Sequence, residues 1–264
     1  MSTRLGHGRS DMTSARFLLL PIAMLQLLAA YLPGTLGAPS IGERATADGI
    51  PPELPLNIFF AIWGVIFLAY LVFGVYALRN DTELSRRLSG PLVAGGVATA
   101  VWMVVQQMIG HPVLDFFLLG PLVWYSWLAA FRFDRMRGLG GSPIKWTSDV
   151  LTGLLSGWAT VAVAISVPRA GRYVLNQGPT DSEWIAFWSV LLTISMATWV
   201  YKDHISRTYW YYWAAAWGLL GILLNNWLRT GFGYFGWITL FFGAWLIYRR
   251  LTTIAYGAME EDTA

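Results

Sequence analysis

Asn57, Phe60, Trp63 and Phe67 recur at intervals of three, three and four residues inside PLNIFFAIWGVIFLAYLVFGVYAL, so a helix there presents one polar group and three aromatic rings on a single face. Trp102 and Gln106 stand one turn apart in VWMVVQQMIG. Trp158, Ala162 and Ser166 form a further stripe at four-residue spacing in SGWATVAVAIS. The chemistry of such sets is recognition rather than covalent catalysis: indole and phenyl faces stack on a flat molecule while a few amides or hydroxyls fix its orientation. A tryptophan deep in an apolar segment also needs a partner for its N–H, because lipid offers none.

Catalytic and metal chemistry have far less support. Of three histidines, His7 lies in the polar N-terminus while His111 and His204 fall in short loops, and no pair has helical ligand spacing. There is no cysteine, which removes disulfides and thiolate metal sites. Asp115 and Asp149 are the best candidates for buried acids, yet each sits within a turn or so of a span end, where a helix N-terminus favours a carboxylate anyway. No glycine-rich phosphate loop or nucleophile elbow is present. We therefore assign no catalytic residue, no metal ligand and no required cofactor.

The elements that carry these residues are membrane spans. Hydrophobic residues make up 56% of the chain and charged residues only 12%, against about 25% in soluble domains. Eight apolar runs lie near 17–33, 55–78, 91–110, 112–131, 149–167, 184–201, 208–228 and 232–250, each about the length that crosses some 30 Å of hydrocarbon as a helix. The expected fold is an all-α polytopic transmembrane bundle of about eight spans. With the N-terminus inside, 14 of the 18 Lys and Arg fall in inner segments and only Arg44, Arg169, Arg172 and Arg229 outside, which places both termini in the cytoplasm. The net charge of +3 thus reads as topology, and no nucleic-acid partner is expected. A second reading of the N-terminus is a secretory signal peptide cut near Gly37 or Ala38, which would leave seven spans.

Most of the 15 tryptophans suit the aromatic belts at the headgroups, among them Trp146, Trp184, Trp199, Trp210 and Trp227. Trp63, Trp102, Trp158 and Trp217 lie deeper. Gly153 and Gly157, with Ala214 and Gly218, mark faces where helices approach closely, within one chain or between two. Asn57, Gln106, Gln107, His111, Asp115, Ser166, Asn225 and Asn226 all fall in the outer half of the membrane and suggest a vestibule.

In these residues the chain resembles the tryptophan-rich sensory protein (TspO/MBR, translocator-protein) family, in particular its longer bacterial versions. PLNIFFAIWGVIF is similar to the family's second-span pattern of Pro, Phe, Trp and then Tyr, with Pro55, Phe60 (or Phe59), Trp63 and Phe67 in those places. SGWATVAVAIS is similar to its fifth span through Trp158, Ala162 and Ser166, and Trp102 resembles the third-span Trp. Three polar positions differ: Phe67 stands for Tyr, Ser166 for Asn, and Thr99 for the Asn three residues before Trp102.

The resemblance implies a five-helix core over 16–168, preceded by a polar segment at 1–15 and followed by three further spans over 169–254 and an acidic tail at 255–264. It implies an aromatic-lined pocket for a flat hydrophobic ligand, a tetrapyrrole such as a porphyrin or haem, or a sterol-like molecule, with Asn57, Phe60, Trp63, Phe67, Trp102, Gln106, Trp158, Ala162 and Ser166 as its lining. A sensory, regulatory or transport role, a bacterial inner-membrane location and a homodimer are the accompanying expectations. The alternatives are a small-molecule transporter and a membrane enzyme acting on a lipophilic substrate. Internal two-fold repetition, which would favour a transporter, is not evident between residues 1–132 and 133–264.

Overall fold

The computed structural model describes residues 7–47, 49–136 and 142–261, with side chains over 15–47, 49–136 and 142–250. Arg4, Arg137 and the end of the acidic tail lie outside the described residues, as do the side chains of His7 and Arg9. Nine α-helices follow one another, with no strand among the described residues: α1 (His7–Thr35), α2 (Ile41–Ala45), α3 (Ile62–Arg79), α4 (Glu83–Met108), α5 (Pro112–Asp134), α6 (Pro143–Val174), α7 (Glu183–Val200), α8 (Tyr209–Asn225) and α9 (Gly233–Glu261). The eight long helices coincide with the eight apolar runs, and α2 sits in the α1–α3 connection. The protein is an all-α polytopic membrane bundle. By length and composition α1 and α3–α7 are able to cross a membrane; α8 and α9 are rich in Trp and Tyr and do not meet the same measure.

Side-chain caps define the helix starts. The Thr82 hydroxyl accepts from Ser85 N at 3.3 Å, Ser142 accepts from Lys145 N at 3.4 Å, and Thr208 accepts from Trp210 N at 3.2 Å. At α5 the His111 Nδ1 accepts from Leu114 N at 3.4 Å, and Pro112 fills the first helical position, where an N–H has no partner in any case. Pro91 inside α4 cannot donate to the Arg87 carbonyl one turn back; Arg132 of α5 donates to it instead, at 3.1 Å.

The central helix is α6, which packs on α3, α5, α7 and α8, while α1 lies on α3 and α4, and α9 on α8. Its many hydroxyls are compatible with burial because each bonds within its own helix: Thr152, Ser156 and Thr160 donate to the carbonyls four residues back at 2.8, 2.6 and 2.9 Å. Ser156 also exchanges a 2.9 Å hydrogen bond with Tyr201. The small residues serve the α6–α8 contact. A Cβ on Gly153 would lie 2.5 Å from Trp210 Cβ, and one on Gly157 would lie 2.8 Å from Ala214 Cβ, so this face is closed within one chain.

The chain between α2 and α3 is tied to α8. Leu56 N donates to Gly221 O at 3.0 Å and the Trp217 indole to Phe59 O at 2.8 Å. The Asn225 and Asn226 amides donate to Pro51 O and Pro52 O at 3.3 and 2.6 Å. Glu53, in the same segment, forms a buried ion pair with Arg172 of α6; burial pushes its carboxyl up and the guanidinium opposes that push.

Candidate functional site

A cavity of about 40 Å³ lies between α4, α5 and α6, under α2 and the chain that follows it. The α4 register turns Trp102 and Gln106 toward it, and the α6 stripe contributes Trp158, Ala162 and Ser166. Phe60 enters from the 3-10 turn Asn57–Ala61 that precedes α3, its ring edge-on to Trp158 with centroids 5.7 Å apart. Ile41, Ala45 and Leu54 close the top, and Leu119 and Ile165 complete the apolar wall.

Asn57, Trp63 and Phe67 stand elsewhere. Trp63 stacks on Phe67 with centroids 5.7 Å apart and leans on Trp102 at 5.8 Å, so these two rings form the layer behind the Trp102 wall. Asn57 lies under α2, close enough that a Cβ on Gly42 would meet its Cγ at 2.8 Å. Residues 57–61 form a 3-10 helix, which places Asn57 one tight turn before Phe60 and against α2, while Trp63 and Phe67 lie on α3 beyond it and face the back of Trp102.

Two indole N–H groups at this layer have no acceptor: Trp158 Nε1 and Trp63 Nε1, on side chains 2% and 5% exposed. A buried donor without a partner costs about 1–3 kcal/mol. Trp102 differs, donating to Asp115 Oδ1 at 2.5 Å. Asp115 also faces Arg169 Nη1 at 3.4 Å. In its hydrogen-bonding orientation the Gln106 amide donates to Asp115 Oδ1 at 3.2 Å and accepts from Arg169 at 2.7 Å. Four polar side chains from α4, α5 and α6 thus close into one network at the end of the cavity. Ser166 does not join it, since its hydroxyl donates to Val163 O at 2.8 Å; Thr99 likewise donates to Gly95 O at 2.8 Å.

Above this network a vestibule of about 460 Å³ opens to the end of the bundle, sharing Ala45 and Arg169 with the cavity. Arg44, His111, Arg172 and Tyr173 stand around it, with the His111 and Tyr173 rings 4.6 Å apart. Arg44 reaches across to donate to Gln107 O at 2.7 Å. It passes over Gly110, which has φ +67° and where a Cβ would meet Arg44 Cδ at 2.7 Å, so both the turn and the crossing require glycine. Of the polar residues assigned to a vestibule from sequence, His111 lines it, Gln106, Asp115 and Ser166 line the smaller cavity below, and Gln107, Asn225 and Asn226 bind backbone carbonyls. A further concavity, about 560 Å³ along Phe117, Trp124 and Phe131 of α5, is an apolar groove on the bundle's outside, away from this polar network.

Sequence reading did not single out Arg169, which falls in α6 rather than in a loop. Its signal was present: extended by one turn, the stripe Trp158, Ala162 and Ser166 arrives at 169. Leu54 has no periodic signal because it lies in a loop, and Ile41 and Ala45, one turn apart, lie on α2, which is too short to register as a periodic run.

A family model described as TSPO-like protein matches residues 20–251, a range that takes in α7–α9 as well as the first five long helices. Comparison with curated proteins returns no match, and comparison with solved structures returns none.

Proposed function

The chain belongs to the TSPO-like protein family, and on that premise we propose that it binds a flat hydrophobic ligand, a tetrapyrrole or sterol-like molecule, between Phe60, Trp102 and Trp158. The observation that carries the reading is Trp158: a ring on the cavity wall, almost wholly buried, whose N–H has no acceptor. A ligand acceptor would satisfy that donor while its plane stacks on the rings.

A cavity of about 40 Å³ is the closed form of such a site, since small-molecule pockets run to about 300–1,000 Å³. The ligand enters by lifting α2 and the segment around Leu54, which merges the cavity with the vestibule above. Arg44 and Arg169 at that junction favour a ligand with an acidic edge, and so a porphyrin carboxylate over a sterol hydroxyl. A homodimer would have to use a face other than the small-residue stripe, which α6 and α8 already occupy.

The test is titration of the purified protein with a porphyrin, following porphyrin absorbance, tryptophan quenching and product formation together. Saturable one-to-one binding without turnover supports the reading. A product whose formation is lost in Asp115→Asn would replace it with a membrane enzyme, and orientation-dependent movement across vesicles with a transporter.

A further inference from the structure

At the opposite end of the bundle, where α7, α8 and α9 meet, a separate cavity of about 90 Å³ is walled by three cations, Lys202, Arg249 and Arg250, three hydroxyls, Ser195, Thr198 and Tyr212, and three apolar side chains, Trp199, Trp245 and Leu246. Ser195 donates to Leu191 O at 2.8 Å and is satisfied. Thr198, only 7% exposed, has its hydroxyl beside that of Tyr211, and the Tyr212 hydroxyl and the buried Arg250 Nε have no partner. Arg250 is held in place by Tyr209 and Tyr212, whose rings lie 4.8 and 5.2 Å from its guanidinium carbon, and by its bond to Arg207 O. Asp203, next to Lys202, is exposed and does not line the cavity, although its charge reaches the Tyr212 hydroxyl; three cations outnumber it there.

Unsatisfied donors converging with positive charge define an anion site, and the volume, about that of three waters, matches a tetrahedral phosphate rather than a whole headgroup. Beside it, sharing Tyr212 and Arg250 as a common wall, runs an apolar groove of about 110 Å³ along Trp213, Ala216 and Ile247. A chamber that carries cations and hydroxyls among apolar side chains, joined to an apolar groove, fits an amphiphile. We propose that this site binds the phosphate group of an anionic phospholipid, with an acyl chain along the α8–α9 groove. The charge distribution of the loops assigns this end to the cytoplasmic leaflet, where anionic lipids attract basic residues.

The test is native mass spectrometry of the full-length protein in neutral phosphatidylcholine, titrated with phosphatidylglycerol in one arm and inorganic phosphate in the other. One phosphatidylglycerol should be retained per chain and should resist millimolar phosphate. Lys202→Gln with Arg250→Gln should weaken retention about tenfold or more, since each cation at a membrane surface adds to the attraction for an anionic lipid. Thr198→Val should weaken it about two- to fivefold with every charge kept. The control is Arg79→Gln with Arg135→Gln, two exposed cations outside the site; it should leave retention unchanged. The unfolding temperature in pure phosphatidylcholine checks each variant's fold, and if the double variant fails it, Thr198→Val and Lys202→Gln alone decide. Equal loss in the control, equal retention of phosphatidylcholine, or displacement by inorganic phosphate at the lipid's own affinity would each overturn the proposal, the last in favour of a free-anion site.

Discussion

The Trp102 indole donates to Asp115 Oδ1 across 2.5 Å, so the ring that walls the cavity from α4 is oriented by a carboxylate on α5. Asp115 occupies the first turn of its helix, as its dipole favours, and is also the counter-charge of Arg169.

Asp115→Asn keeps an acceptor for Trp102 and leaves the Arg169 guanidinium uncompensated. With the Arg169 side chain 19% exposed, we expect a loss of about 1–3 kcal/mol, below the range for a fully buried pair. Thermal unfolding in detergent measures it, and adding Arg169→Met should recover most of the loss. An unchanged unfolding temperature for the single variant would show that the ion pair contributes nothing.

Trp158 and Trp63 should separate ligand contact from packing. Trp158→Phe, which keeps a ring and removes the N–H, should weaken porphyrin binding by about 1 kcal/mol, while Trp63→Phe should leave it nearly unchanged. Trp63→Ala should instead destabilise the fold by about 3–5 kcal/mol, because it empties the layer behind Trp102. Trp184→Ala, at a half-exposed ring stacked on Tyr234, is the control for binding. Absorbance titration reads affinity in all four, and an equal loss of affinity in the two Phe variants contradicts the assignment.

Glu53→Gln breaks an ion pair whose side chains are 1% and 7% exposed. Leaving Arg172 buried and unpaired should cost about 3–5 kcal/mol, and Glu53→Leu with Arg172→Met should restore much of it. Limited proteolysis between residues 46 and 56 should accelerate in the single variant. Cleavage at the parent rate would mean that the pair does not hold this segment.

The distribution of Lys and Arg gives a direct test of topology. Reporter fusions after residues 40, 88, 140 and 264 should report the first outside and the other three inside. A C-terminus found outside would reduce the spans to an odd number, and an N-terminus cleaved near Ala38 would remove α1 from the count.

The long helices were readable because each is an apolar run bounded by a break, as at Gly110–Pro112 and Ser142–Pro143, and lipid permits few alternatives to a helix. Within the site, legibility followed helical periodicity. Trp102 with Gln106 and Trp158 with Ala162 and Ser166 converge because each set lies on one unbroken α-helix. Asn57 does not, since it is taken up by contact with α2, and Trp63 and Phe67, although on one unbroken helix, face the back of Trp102, which periodicity within one helix does not show. The Asp115–Arg169 pair was hidden for another reason: it joins residues 54 positions apart, and nothing local in either helix shows which cation an acid will meet.

The four hydrogen bonds between the Pro51–Phe59 segment and α8 with the Asn226 that follows it make the pocket roof and α8 one mechanical unit. Phe60 follows immediately on a carbonyl gripped by Trp217, so lifting it away from Trp158 either drags α8 or breaks those bonds. Ligand entry by the proposed route would therefore be thermodynamically linked to the position of α8, and the linkage would run in both directions: whatever clamps α8 at its far end would tighten the roof, and a ligand in the pocket would be felt there.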